Sequence, residues 1–201
     1  HEEAAAVLEH IKTLACFQHA RTVSVYLSMP TAEIDTWELC RHVLHEGKHL
    51  YIPRFSTLPA GAQASQTTHK FTTDMHMLRV MDVNELEHGL THNRWGIAEP
   101  ALTLRDGTPR ENALDAATGG QGLDLIVLPG VAFDLQGGRL GHGKGYYDRY
   151  VTRTRQQQPQ TPPATVALAL LEQIVEAVPR DAADQPCDIL VTPNGCRSFA
   201  S

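Results

Sequence analysis

The chain has 201 residues, 42% hydrophobic and 20% charged, enough for one sizeable core and too few for two ordinary ones, so residues 1–201 read as a single domain. With 17 Lys and Arg against 23 Asp and Glu, the net charge of −6 leaves no cationic surplus for a broad nucleic-acid face. Cys16, Cys40, Cys187 and Cys196 form no CxxC pair, which argues against a disulfide framework or a thiolate zinc site, and no apolar run approaches the ~20 residues of a membrane span.

Residues 4–14 carry Val7, Leu8, Ile11 and Leu14 at the spacing of one helix face. Residues 22–28 (Thr-Val-Ser-Val-Tyr-Leu-Ser) are rich in β-branched and aromatic side chains and read as a strand that stops at Met29-Pro30. Helical spacing follows over 37–45, Gly47 terminates it, and 49–53 (His-Leu-Tyr-Ile-Pro) form a second strand, so the unit is βαβ. Residues 56–70 are small, polar and aperiodic, a surface loop insertion. Residues 75–80 read as a strand, and 123–128 (Leu-Asp-Leu-Ile-Val-Leu), closed by Pro129-Gly130, fit a strand buried on both faces of a parallel sheet. A helix over 146–154, a Gln/Pro-rich loop over 156–163 and strands over 165–170 and 189–192 complete the chain. This alternation predicts a three-layer α/β/α sandwich around a mainly parallel sheet, with ligands at the carboxyl ends of the strands.

The chemistry concentrates in Gly137-Gly138-Arg139-Leu140-Gly141-His142-Gly143-Lys144-Gly145-Tyr146-Tyr147-Asp148, between a buried strand and a helix. Alternating glycines let backbone N–H groups turn toward an anion, and the following helix start adds its positive dipole end. Gly138 to Lys144 meets the first part of the G-x-x-x-x-G-K pattern, but Gly145 stands where that pattern needs a Ser or Thr for magnesium. Asp148, about one turn on, offers a hard oxygen ligand in its place. A plain turn is the bland alternative, yet a turn requires neither the embedded Lys nor the paired tyrosines. Tyr146 or Tyr147 could equally be a core residue.

On these residues the chain resembles the 5-formyltetrahydrofolate cyclo-ligase family. The string Gly141 to Tyr150, preceded by Leu125 to Asp134 and by Arg139-Leu140, is similar to the family signature. Tyr26-Leu27-Ser28-Met29 with Glu33-Ile34-Asp35-Thr36, then Tyr51-Ile52-Pro53-Arg54, Arg94 to Pro100, and Val178-Pro179 with Asp184 to Asp188 match its other landmarks in order.

The resemblance implies a Rossmann-like fold related to the sugar-phosphate isomerase and CoA-transferase type. It also implies an ATP- and Mg2+-dependent closure of 5-formyltetrahydrofolate, with or without a polyglutamate tail, to the 5,10-methenyl form. By this likeness, Arg139, Leu140, Gly141, His142, Gly143, Lys144, Gly145, Tyr146 and Tyr147 bind ATP, and Asp148 and Asp184 hold the metal. Leu27, Met29, Glu33, Trp95 and His142 to Tyr146 border the folate, with Lys144 and Glu33 catalytic. Asp184 alone would read as a solvated loop acid, and Trp95 as a core residue. Two departures stand out. His142 replaces the Arg that animal members tend to carry, a titratable cation for a permanent one, and the chain is expected to lack the family's basic first helix. A cytoplasmic monomer is expected, with a mitochondrial location left open and neither nucleic acid nor membrane as partner. The rival function is a non-catalytic nucleotide- or phosphate-binding relative of the same fold; histidine pairs such as His88 and His92 lack the partners of a zinc motif.

Overall fold

The computed structural model describes residues 2–28, 34–57, 73–93 and 96–199. On the amino-terminal half lie α1 (Glu2–Thr13), α2 (Ala15–His19), β1 (Thr22–Ser24), α3 (Trp37–His45), β2 (His49–Thr57), β3 (Thr73–Val80), α4 (Val83–His88), β4 (Thr91–His92) and β5 (Ala98–Glu99). The carboxyl half adds β6 (Leu125–Leu128), β7 (Ala132–Asp134), β8 (Arg139–Leu140), α5 (Tyr146–Gln157), β9 (Ala164–Leu168), β10 (Ile174–Val175), β11 (Ile189–Thr192) and β12 (Gly195–Ser198). Among the described residues, no helix is long and apolar enough to cross a membrane.

A seven-stranded sheet in the order β12-β11-β9-β6-β1-β2-β3 forms the middle layer. Its five inner strands are parallel, and β12 and β3 close the edges antiparallel. The sandwich expected from the alternation of elements is therefore present. One face packs Val23, Leu50, Leu125, Val127 and Val166 against Val7 and Ile11 of α1, Phe17 of α2, Leu39 and Val43 of α3 and Leu86 of α4. The other packs Tyr51, Met77, Ile126, Leu128, Ala167 and Leu190 against Tyr150 and Val151 of α5. Successive residues of a strand point to opposite faces, so a strand covered on both sides must be apolar throughout. The run Leu-Ile-Val-Leu of β6 is accordingly buried at every position.

Local chemistry sets the ends of several elements. Asp82 accepts the N–H of Glu85 at 2.8 Å while Glu85 accepts that of Met81 at 2.7 Å, a reciprocal cap that starts α4. Gly145, at φ +62°, turns the chain into α5. The strand expected over 22–28 pairs fully only to Ser24, with Val25 N–H still donating to Tyr51 O at 3.0 Å. Beyond that point the chain leaves the sheet. The insertion expected from residue 56 starts later, because Ser56 and Thr57 end β2; residues 58–72 lie outside the described residues.

A small second sheet, β10-β7-β8, carries the turn that opens the glycine-rich segment. Asp134, at its centre and 2% exposed, accepts N–H groups from Gln136 (2.9 Å), Gly138 (2.8 Å) and Val178 (3.0 Å) and is paired with Arg180 at 2.8 Å. Burial pushes this carboxyl up, but the Val178 N–H, the Arg180 guanidinium and the Gly138 and Gln136 N–H groups outweigh it and hold it at about 2.

Two consequences can be measured. Leu125 and Ile126 are both fully buried and belong to opposite faces, so Leu125→Ala and Ile126→Ala are each expected to lower stability by about 2–5 kcal/mol in urea denaturation, whereas a one-sided sheet would tolerate one of them. A carboxylate depressed on folding stabilises above its unfolded pKa, near ~3.9, and that contribution disappears as pH falls through its folded value. The stability gap between the wild type and Asp134→Asn is thus expected to be constant above about pH 5 and to shrink by roughly 2 kcal/mol on approaching about pH 2.

Candidate active site

Strand order reverses at the centre of the large sheet. From β1 the chain steps outward through β2 to β3, and from β6, the neighbour of β1 on the other side, outward through β9 to β11. Loops leaving adjacent parallel strands at such a switch point diverge to opposite faces and leave a crevice at their carboxyl ends. Here the two loops are residues 25–36 and 129–145.

Thr36 closes the base of the first loop. Its hydroxyl donates to Tyr26 O at 2.5 Å and accepts the Ser28 N–H at 3.0 Å, while its own N–H donates to the Ser28 hydroxyl at 3.2 Å. Leu27, 6% exposed, is thereby fixed at the mouth of the loop. Met29 and Glu33 lie on this loop, outside the described residues.

The second loop leaves β6 at Pro129-Gly130, where a side chain on Gly130 would meet the Phe133 ring at 2.5 Å. It folds back as β7 and β8 and then exposes His142, Gly143 and Lys144. Gly143 has open space around it but a φ of +75°, so the backbone conformation, and not crowding, requires glycine there. Gly141 and Gly145 are half-buried, and the Lys144 carbonyl is held by the Arg149 guanidinium at 2.8 Å. Leu140 is exposed beside them.

Aromatic groups line the side toward β2. Tyr146 packs against Phe55 with ring centroids 4.9 Å apart and planes 58° apart, and Arg149 lies over the Tyr146 ring at 5.2 Å. Tyr147 is half-buried and packs against both hydrophobic clusters, so its ring also has a core role. Glu99, 3% exposed, accepts the Asn93 side-chain amide at 2.7 Å and the Phe55 N–H at 3.3 Å, and Arg54 donates to Pro100 O at 2.7 Å. These bonds hold Glu99 and Pro100 against β2; Trp95 lies outside the described residues.

Asp148, in the first turn of α5, accepts the Arg139 guanidinium at 2.9 Å and the Gln185 N–H at 2.9 Å, both on Oδ1. The second bond places Asp184, the preceding residue, in the neighbourhood of Asp148. Asp184 uses Oδ2 to accept the Asp181 N–H at 2.8 Å. Among the described residues each carboxylate keeps one oxygen without a hydrogen bond, and no group of three or more metal-capable side chains forms. The Arg139 side chain is only 5% exposed and also donates to Pro129 O at 3.2 Å, so contact with a phosphate would require this pair to open.

Asp134, Arg180, Gln185, Phe55 and Glu99 were not singled out in the sequence as site residues. A signal existed for two of them. Asp134 precedes a Gly-Gly turn, an Asx-turn pattern, and Phe55 falls on the same alternating strand face as Tyr51. Arg180 and Gln185 carry no local signal, because Asp134 and Asp148 lie 46 and 37 residues away; Glu99 has a near partner in Asn93, but its link to Phe55 spans 44 residues.

Comparison with known proteins bears on the fold and the family. The family model for the 5-formyltetrahydrofolate cyclo-ligase family matches residues 1–193. A mouse protein named 5-formyltetrahydrofolate cyclo-ligase is 38% identical over 172 residues, covering 86% of this chain and 73% of its own length. An Escherichia coli K12 protein of the same name is 33% identical over 175 residues, 87% of this chain and 79% of its own. The solved structure of Aquifex aeolicus 5,10-methenyltetrahydrofolate synthetase superposes with a TM-score of 0.66 at 30% identity, covering 98% of this chain and 81% of that one. A fold with both loops at one switch point, a glycine-rich loop bearing Lys144 and a match along nearly the whole chain lead to one assignment: the chain belongs to the 5-formyltetrahydrofolate cyclo-ligase family, a family of enzymes.

Proposed function

We propose that this enzyme closes 5-formyltetrahydrofolate to 5,10-methenyltetrahydrofolate at the expense of ATP, releasing ADP and phosphate, with magnesium required. The observation that carries the reading is the exposed His142-Gly143-Lys144 turn opening α5 at the switch point, next to the Asp148 and Asp184 segments. Family membership and the names of the relatives support the same substrate class.

A formamide carbonyl is a poor electrophile and its oxygen a poor leaving group. Transfer of the γ-phosphoryl group to the formyl oxygen, with ADP as leaving group, corrects both; nitrogen 10 then bonds to the activated carbon and gives up its proton, and phosphate departs with the C–O electrons. The protein's share is positioning and charge neutralisation. The turn from Leu140 to Gly145 would present backbone N–H groups and the Lys144 ammonium to the phosphates, with the dipole of α5 adding positive potential. Arg139 would act on the nucleotide through Asp148, whose orientation it sets.

Magnesium binds few protein ligands, keeping waters and substrate phosphates for the rest of its shell, and two carboxylates with an oxygen each to spare suit that demand. Asp148 and Asp184 would hold the ion, which neutralises phosphate charge when bound. Leu27, Met29 and Glu33 would border the folate from the first loop, Glu33 accepting hydrogen bonds from the ring's donors. The tilted Phe55–Tyr146 pair would offer an apolar aromatic wall, and Trp95 would border the folate as well. A cytoplasmic, monomeric enzyme is the accompanying reading.

The direct test mixes the protein with 5-formyltetrahydrofolate, ATP and magnesium and follows the near-ultraviolet absorbance of the methenyl product. Growth that needs both ATP and magnesium is expected; binding of nucleotide without turnover would instead identify a non-catalytic relative. Lys144→Ala is expected to lower kcat/KM by about a hundredfold or more with an unchanged circular-dichroism spectrum, and an unchanged kcat/KM would remove Lys144 from the phosphate role. Asp148→Asn should raise the magnesium concentration for half-maximal rate by about tenfold, and an unaltered titration would argue against ligation.

A further inference from the structure

Asp134 lies outside the loop expected to bind nucleotide, yet it joins the turn entering that loop to the segment leading to Asp184. Its Oδ1 accepts the Gln136 and Gly138 N–H groups, which form the turn entering the glycine-rich loop. Its Oδ2 accepts the Val178 N–H at 3.0 Å, at the start of the segment leading to Asp184. Arg180 places one nitrogen across both oxygens, at 2.8 and 3.0 Å. The contact is close enough that a Cβ on Gly138 would lie 2.3 Å from Asp134 Oδ2 and 2.7 Å from Arg180 Nε.

Further along, the same two segments touch twice more. The Gln185 N–H donates to Asp148 at 2.9 Å, and the Cys187 N–H donates to Gly137 O at 3.3 Å. Asp184 therefore sits in a short span clamped at Val178–Arg180 on one side and at Gln185–Cys187 on the other. Between the clamps, residues 181–183 are exposed, and the Asp181 N–H donates to Asp184 at 2.8 Å. Arg180 adjoins Asp181, whose N–H is bonded to Asp184, so the clamp lies next in the chain to the group that holds this carboxylate.

We propose that the Asp134–Arg180 pair, closed over Gly138, is a positioning device that sets the register of the Asp184 segment against Asp148 and so controls how strongly magnesium strengthens nucleotide binding. The proposal rests on the reading of Asp148 and Asp184 as the metal pair. Arg180 is a positioning residue: it acts through the backbone at 178–187 and not on the reactants. Its side chain is 38% exposed, and the β10–β7 ladder (Ile174 with Phe133, Val175 with Asp134) remains when Arg180 is changed, so a variant there should fold.

The test compares ADP binding by calorimetry with and without magnesium, alongside hydrogen exchange of the ligand-free protein, in the wild type, Arg180→Met, Arg180→Lys and Gly138→Ala. In Arg180→Met, faster exchange along 178–187 is expected, together with about a tenfold loss of the magnesium-dependent gain in ADP affinity. Binding of ADP without magnesium and of 5-formyltetrahydrofolate should stay within about twofold, since those contacts do not involve the clamp. Gly138→Ala, which keeps both charges but forces them apart, should lose the gain as well, and Arg180→Lys should recover part of it. An unchanged gain in folded Arg180→Met, or unchanged exchange along 178–187, overturns the positioning role. A wild type whose ADP affinity ignores magnesium overturns the metal-pair reading instead, while exchange still reports whether the clamp ties the two segments.

Discussion

Every polar backbone group of a parallel strand covered on both faces must find its partner within the sheet, and every side chain must find an apolar neighbour. β6 is such a strand, fully buried at all four positions, with β1 and β9 on its flanks. Because β2 lies parallel beside β1 and β9 parallel beside β6, the connections that follow β1 and β6 cannot be short hairpins; each crosses through a helical layer, one by way of α3 and the other by way of α5. A crevice at the carboxyl ends of such strands is the general consequence of that divergence, and it marks this end of the sheet as the candidate site.

Within the crevice the structure separates tasks by burial. The turn His142-Gly143-Lys144 is exposed at all three residues, with its cation at the surface. The carboxylates are half-buried and braced, Asp148 by Arg139 and Gln185, Asp184 by Asp181. Deeper still, Asp134 carries no reactant-facing group and serves the backbone of its neighbours. Such grading suits phosphoryl transfer, where preorganised charge contributes more than covalent participation by the protein. It also explains why glycine stands at Gly138 and Gly143 for different reasons, close approach of a side-chain clamp at one and left-handed backbone at the other.

Some features were visible along the chain and still went unread. β12 pairs with β11 through the two-residue connection Pro193-Asn194, with Gly195 already paired to Thr192, and a Pro-Asn-Gly cluster between two short runs is a turn signal. β7, β8 and β10 are two or three residues long, too short for any periodicity to appear, and exist because they pair with one another. α5 extends to Gln157, past the expected end at 154, since Gln156 and Gln157 are good helix formers and no breaker precedes Gln158.

By itself, the sequence determined what depends on near neighbours: the layers, from the alternation of apolar periods; the doubly covered strand, from an unbroken apolar run; and the anion-seeking turn, from glycines around Lys144 ahead of a helix. These signals are legible because backbone propensity and side-chain spacing act over a few residues. Only the tertiary structure decided which distant groups meet. Asp134 and Arg180 are 46 positions apart and Asp148 and Gln185 are 37 apart, and Phe55 reaches Tyr146 only because β2 and α5 share one face of the sheet. A hydrogen bond or an ion pair has no sequence period, so its partners become known only when the closed chain brings them within reach.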